Sequence, residues 1–252
     1  MDRIEACQRN FQALFGGDPA GPHTGNDPEM MILMQRFIFG DVFETGNLDL
    51  ATRELLTVCC LTTSQTIPQL KAHIQAALNV GNTPLKIRET VYQCAPFIGF
   101  PKTLNALNAI NEVFQDNGIS LPLPDQGSVG EENRLDAGLR IQAPLYGTEI
   151  RDKYATLPDG MGEALPRFLT EVCFGDFYTR GTLDEAEREL LMLAVLAALG
   201  ADLQIKAHTI GNLKAGNSKA TLYAAMIQCL PYIGFPAAFN AINIIMATEL
   251  PV

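Results

Sequence analysis

The sequence predicts an all-α protein built from two tandem repeats, and three observations carry that prediction. First, residues 53–101, RELLTVCCLTTSQTIPQLKAHIQAALNVGNTPLKIRETVYQCAPFIGFP, come back without a gap as residues 188–236. Arg53 maps to Arg188, Glu54 to Glu189, His73 to His208, Gly81 to Gly216, and Gly99-Phe100-Pro101 to Gly234-Phe235-Pro236, all at a spacing of 135 residues. A constant offset across ordered landmarks marks a duplication. Second, the apolar residues recur at helical spacing, and no alternating run of the kind a half-buried strand needs is present. Third, helix start and stop signals fall at the same places in both copies.

The elements follow in order. The first helix reads DRIEACQRNFQALFG and returns at 133–147 as NRLDAGLRIQAPLYG, so Arg3 pairs with Arg134 and Gly16 with Gly147. This pairing runs at 131 rather than 135 residues, so the second copy holds four extra residues between Gly147 and Gly175. The Pro- and Gly-containing TLPDGMGEALP is where a longer loop is expected. Apolar segments 28–43 and 163–178 each contain Phe-Gly-Asp, with Gly40 and Gly175 as helix stops. Asp49 and Asp184 are placed to cap the helices that carry Arg53 and Arg188, and Glu187 completes a capping box. The next helix opens at Pro68 in one copy and with Asp202 as cap in the other, and ends at Gly81 or Gly216. Thr83 and Asn217-Ser218 cap the third helix of each set, which Pro96 and Pro231 should kink or break. The last helices run over about 101–117 and 236–248. These boundaries give a first repeat at 1–117, a Pro- and Gly-containing linker at 118–132, and a second repeat at 133–252.

Composition narrows the function classes. The chain has 252 residues, is 47% apolar, and carries a formal charge of −10. An acidic chain repels nucleic-acid phosphates and anionic membranes, so neither is an expected partner. No apolar run reaches the roughly 18 residues of a spanning helix, and the N-terminus has no uninterrupted apolar stretch of a signal peptide. The six cysteines lie in apolar helical patterns without a framework spacing, which fits reduced thiols in a cytoplasm. No metal-ligand spacing and no phosphate-cradling glycine pattern occur, so neither metal nor cofactor is expected.

Few residues remain to carry chemistry. Of the three histidines, His73 and His208 are retained in both copies. An imidazole shuttles protons near neutral pH; a hydrogen-bonded core histidine is the other reading. Glu54 and Glu189 stand early in their helices, where a carboxylate favours the positive end of the dipole; a partner for His is the alternative. In a straight antiparallel hairpin Glu54 lies about 15 Å from the turn and His73 about 8 Å, so the two meet only if the helices cross steeply or a neighbouring repeat supplies one of them. Arg53, Arg188, Lys71 and Lys206 are candidate clamps for an anionic substrate, or solvated helix cations. Phe100 and Phe235 belong to turns between packed helices and are candidates for a pocket wall. Cys59-Cys60 faces Ala194-Val195 in the other copy and reads as core packing, as do Cys94 and Cys229.

RELL…H…A…G, then a proline-interrupted apolar run and GFPAAFNAI, resembles the carboxymuconolactone decarboxylase family and its relative alkyl hydroperoxidase D, most closely over 48–110 and 183–245. The resemblance implies a compact helical fold that assembles into rings, here a trimer whose two repeats per chain make a pseudo-hexamer. It implies a Glu and a His at the site, at Glu54 with His73 and at Glu189 with His208. It also implies cofactor-independent acid–base chemistry, a lyase or isomerase acting on a small carboxylated lactone or related organic acid. In the peroxidase branch a Cys-x-x-Cys pair precedes the histidine; here those positions hold Thr66 and Gln69, and Ala201 and Gln204. A thiol peroxidase and a non-catalytic ligand-binding assembly are the two alternatives. Polar Thr62, Thr63, Ser64 and Gln65, against Ala197, Ala198, Leu199 and Gly200, favour the first repeat if one site alone works.

Overall fold

The computed structural model describes residues 2–250. Those residues form thirteen α-helices and two π-helical segments, with no strand among them. In the first half these are α1 (Arg3–Phe15), α2 (Pro28–Gln35), a π-helical run (Arg36–Val42), α3 (Leu50–Ser64), α4 (Ile67–Asn79), α5 (Pro84–Ile98) and α6 (Phe100–Asp116). The second half repeats the series as α7 (Arg134–Tyr146), α9 (Met161–Phe168), a π-helical run (Leu169–Phe177), α10 (Glu185–Leu199), α11 (Asp202–Lys214), α12 (Lys219–Ile233) and α13 (Phe235–Ala247). Helix α8 (Glu149–Tyr154) has no counterpart. The four extra residues thus appear as a short helix, not as the longer loop the sequence led us to expect.

Local chemistry accounts for most boundaries. The Asp49 side chain accepts from Thr52 N–H, Thr83 from Lys86 and Ser218 from Thr221, and Asp184 and Glu187 form a complete capping box. At α11 the cap position is Ala201 and Asp202 is the first helical residue, so the helix starts one place earlier than expected. Neither Pro96 nor Pro231 breaks its helix: α5 and α12 each continue two residues beyond it to Gly99 or Gly234. Both prolines sit in the last turn, where little helix remains to be disrupted. The π-helical runs were not legible in the sequence. Each lies against the first helix of its repeat through a glycine: a Cβ on Gly40 would stand 2.5 Å from the Arg3 carbonyl oxygen, and one on Gly175 2.5 Å from that of Arg134.

Helices α3 and α10 form the centre. They pack on each other, and each is also covered by a helix of the opposite repeat, α3 by α12 and α10 by α5. Leu190 to Ala197 are all buried, as an all-apolar stretch requires. Polar side chains brace this exchange reciprocally. Arg53 donates to Gln228 at 2.9 Å, to the Thr45 carbonyl at 2.8 Å and to the Leu48 carbonyl at 3.0 Å. Arg188 donates to Gln93 and to the Arg180 carbonyl. The six cysteines are free and buried.

Candidate active site

Each repeat brings its Glu and His together without help from its neighbour. His73 Nδ1 lies 2.8 Å from Glu54 Oε2, and His208 Nδ1 lies 2.9 Å from Glu189 Oε2. The sequence argument placed these residues at different levels of an ideal antiparallel hairpin; α3 with α4, and α10 with α11, depart from that geometry. Both glutamates are fully buried, and the histidines are 8% and 9% exposed. With Nδ1–H donating to the carboxylate, Nε2 is the nitrogen left to accept or deliver a proton.

The opposite repeat completes each site. Tyr232, from α12, stands edge-on to the His73 ring at 5.4 Å, and Phe97, from α5, packs against the His208 ring at 5.4 Å. These two aromatics occupy equivalent positions, one residue after Pro231 and Pro96. The apolar run ahead of each Gly-Phe-Pro turn therefore serves the site of the other repeat.

Around Glu189 lies a hydroxyl network that sequence reasoning missed. The Tyr146 hydroxyl donates to Glu189 Oε2 at 2.5 Å and also lies 2.9 Å from His208 Nδ1. Tyr178 donates to Glu189 Oε1 at 2.7 Å. Burial first, and then the Glu189 charge, push both phenols well above their ordinary range, so they remain hydrogen-bond donors. Their counterparts in the first repeat are Phe15 and Phe43. A signal did exist: aligned at the two offsets, both positions change from Phe to Tyr. Gly211 makes room for the network, since a Cβ there would lie 2.4 Å from the Tyr146 hydroxyl and 2.6 Å from Glu189 Oε2. Its counterpart is Ala76.

A cavity of about 490 Å³ opens at His208. Its walls include Phe97, Tyr146, Leu169, Phe174 and Leu196, with the amides of Gln142 and Gln204 among them. That volume is ample for a small organic molecule. Ala201 and Gln204, the positions of the missing Cys-x-x-Cys, both line it. Two cavities of the first repeat lie along α1 and α2 and the chain between them, and His73 lines neither.

The remaining predicted residues lie elsewhere. Arg53 and Arg188 are 1% exposed, donate to carbonyls and amides with Arg188 Nε left unpaired, and neither lines the His208 cavity. Burial lowers both below the ordinary arginine value. Lys71 pairs with Glu112 at the surface, and Lys206 is exposed on α11. Phe100 and Phe235 are 59% and 52% exposed, the latter stacked on Phe37, and neither lines the His208 cavity. No cluster of metal-ligating side chains occurs among the described residues.

An all-helical, two-repeat protein with a buried Glu–His pair in each repeat is thus the class that fold and site define. The chain belongs to the carboxymuconolactone decarboxylase family, whose model matches residues 28–112 and again 163–246. It is 25% identical over 122 residues to a 4-carboxymuconolactone decarboxylase of Acinetobacter baylyi, covering 48% of this chain and 90% of that one. It is 30% identical over 114 residues to a nitrosuccinic acid decarboxylase of Metarhizium robertsii, covering 45% and 80%. These relatives match along most of their own length and under half of this chain, the pattern expected of one repeat against two. A solved structure from Burkholderia xenovorans LB400, provisionally assigned as a gamma-carboxymuconolactone decarboxylase subunit, shares the fold at a TM-score of 0.55 with 19% identity over 94% of both chains.

Proposed function

We propose that the protein is a cofactor-independent enzyme of acid–base type, a carboxy-lyase or isomerase working on a small organic acid or lactone in the His208 cavity. The observation that carries this reading is the His208–Glu189 pair, held by buried hydrogen bonds and opening on about 490 Å³ of largely apolar space. Two family relatives named as decarboxylases support it. In the reaction the bond to the carboxyl carbon breaks and carbon dioxide leaves. The electron pair stays in a conjugated carbonyl system, and His208 Nε2 delivers a proton to it, with a proton from solvent restoring the imidazolium. Glu189 orients the ring through Nδ1. The first repeat's Glu54–His73 pair is assigned a supporting structural role.

Release of carbon dioxide from carboxylated lactones, beginning with carboxymuconolactone, is the direct test. Turnover that survives His208→Ala would refute the site, and no release from any acid or lactone of fitting size would refute the reaction.

The peroxidase alternative finds no support at the cavity. Cys173, the thiol that lines it, is pushed far above the ordinary cysteine value by burial and by Glu189, which keeps it protonated and unreactive. The repeats at 1–117 and 133–252, joined by 118–132, are proposed to act as one unit, because each supplies an aromatic wall to the other. We further propose a cytoplasmic homotrimer with the repeats alternating around a ring. No helix of the described residues is long and apolar enough to cross a membrane. Exposed apolar residues come in repeat-related pairs, Leu33 with Phe168, Phe100 with Phe235 and Leu104 with Phe239, as a ring with quasi-equivalent contacts would use them. Light scattering should give three times the 27.4 kDa chain mass; a monomer would refute the ring.

A further inference from the structure

We infer that Arg151, on the helix α8 that only the second repeat contains, is a specificity residue: it holds a second anionic group of the substrate, remote from the one that reacts at His208. This rests on the reading of the His208 cavity as the reactive site. Among the described residues that line that cavity, none is Lys, Arg, Asp or Glu. It can hold one carboxylate beside the imidazole and offers no cation to another. An anion buried without a partner is strongly disfavoured, so a second group must reach a cation beyond this space.

A cavity of about 430 Å³ adjoins the first, and Gln142 lines both. Three elements wall the two spaces together: α7 through Gln142, α8 through Ile150 on one side and Arg151 on the other, and the second π-helical run through Leu169 and Thr170. Gln142 is 7% exposed, and its Oε1 accepts from Thr170 at 2.6 Å. That bond fixes the amide and leaves its NH2 group to donate to a molecule lying across both spaces.

Arg151 and Arg167 line the adjoining cavity, with Glu163 beside them. Arg167 is engaged by both oxygens of Glu171, at 3.0 and 3.2 Å. The Arg151 side chain is 70% exposed, and its ion pair with the adjacent Asp152 is long, at 3.5 Å. Asp152 also accepts from Thr148 at 2.6 Å. Arg151 is therefore the cation able to turn to a ligand, and its planar fork suits a carboxylate.

The first repeat lacks this arrangement. Its corresponding cavity is lined by Ile4, Gln8, Ile32 and Gln35, the counterparts of Leu135, Leu139, Arg167 and Thr170. Phe11 takes the Gln142 position and packs on Phe15 and Phe39, with Phe15 in turn against His73. A ring cluster stands where the second repeat has a shared amide. That amide and α8 thus occur together, in the repeat whose histidine opens on a cavity.

Two γ-lactones with the same ring, one bearing a single carboxylate and the other a further carboxylate on a short side chain, would be titrated into the full-length protein by calorimetry at neutral pH. Shifts of the His208 ring signals, resolved from those of the two other histidines, locate each probe without reading turnover. Both should bind at His208, the di-acid about fivefold more tightly, the scale of one solvent-screened ion pair. Arg151→Gln, at an exposed position, should bring the two affinities within about twofold of each other and leave the mono-acid unchanged. Arg151→Lys should keep part of the advantage. Lys206→Gln, a loss of charge outside both linings, should keep all of it. Gln142→Phe installs the first-repeat residue and should remove the advantage as Arg151→Gln does. Equal affinities in the unaltered protein would overturn the inference. So would an advantage that survives Arg151→Gln or Gln142→Phe, or one that Lys206→Gln removes equally. If the mono-acid still shifts His208, those results leave the reading of the cavity standing; if neither probe reaches His208, both fall. Absence of catalysis with this binding order intact would count against the proposed reaction alone.

Discussion

The two Glu–His pairs share a backbone and differ in where their hydroxyls come from. At Glu54 the rings from the same repeat are Phe15 and Phe43, and the phenol, Tyr232, comes from the opposite repeat. At Glu189 the same-repeat rings are Tyr146 and Tyr178, and the opposite repeat supplies Phe97. The consequence is a difference in satisfaction. Glu189 receives both tyrosines and His208, whereas Glu54 Oε1 is buried without a hydrogen-bond partner and Tyr232 makes no hydrogen bond to that carboxylate. Three Phe/Tyr exchanges, with glycine at 211 in place of Ala76, separate the copy that has a closed hydrogen-bond network beside an open cavity from the one that does not. The lesson is that retention of Glu and His in both copies does not make the copies equivalent.

The largest expected effect separates the sites by activity. His208→Ala should lower turnover by about 10²-fold or more, the range of a lost general acid, while His73→Ala should cost less than about tenfold. Equal losses in steady-state assays would dissolve the distinction. The fold was read almost entirely from repetition and capping residues, which are local signals. The preference for the first repeat weighed Thr62, Thr63, Ser64 and Gln65, of which the first two are buried, while the cavity at a histidine lies in the second repeat. Leu199 and Gly200, the counterparts of Ser64 and Gln65, end a helix, and Leu199 lines the His208 cavity. Arg53 and Arg188 misled for a similar reason. A sequence reports that a cation is present in both copies, but not that it is buried and donates to carbonyls of its own repeat and a glutamine of the other.

Stability gives the next contrast. Glu189→Ala strands the buried Tyr178 phenol and leaves Tyr146 and His208 only each other, at a cost of about 2–3 kcal/mol, while Glu54→Ala strands one imidazole at about 1–2 kcal/mol. Urea unfolding of the two variants would measure it, and the reverse order would show that Glu54 has partners beyond His73.

A sharper test exploits the space at Gly211. Gly211→Ala drives a methyl into the Tyr146 hydroxyl and should destabilise by about 1–3 kcal/mol. Adding Tyr146→Phe recreates the Phe15–Ala76 pairing of the first repeat and should recover part of that loss, the close approach to Glu189 remaining. The double-mutant cycle isolates the coupling between the two positions. Additive effects would mean that the glycine is not there for the hydroxyl.

The smallest expected effect is a dependence on alkaline pH. Tyr146 and Tyr178 are pushed well above the phenol value of 10.0, chiefly by burial and then by Glu189, and Tyr232 chiefly by burial and then by Glu54. Cys59, Cys173 and Cys229 likewise stand above the thiol value of 9.0. In each case the folded state keeps a proton that the unfolded chain gives up. Stability contributed this way is complete below pH 9 and falls as pH rises, first through the thiols and from about pH 10 through the phenols. Each group steepens the fall by up to about 1.4 kcal/mol per pH unit. Thermal unfolding between pH 8 and 11 should therefore show a midpoint that declines above pH 9. In the double variant Tyr146→Phe, Tyr178→Phe the decline above pH 10 should be shallower, because two of the three raised phenols are gone. In Tyr232→Phe it should flatten less. If Tyr232→Phe flattened the curve as much as the double variant, the hydroxyls around Glu189 would not hold their protons more firmly than the one beside Glu54.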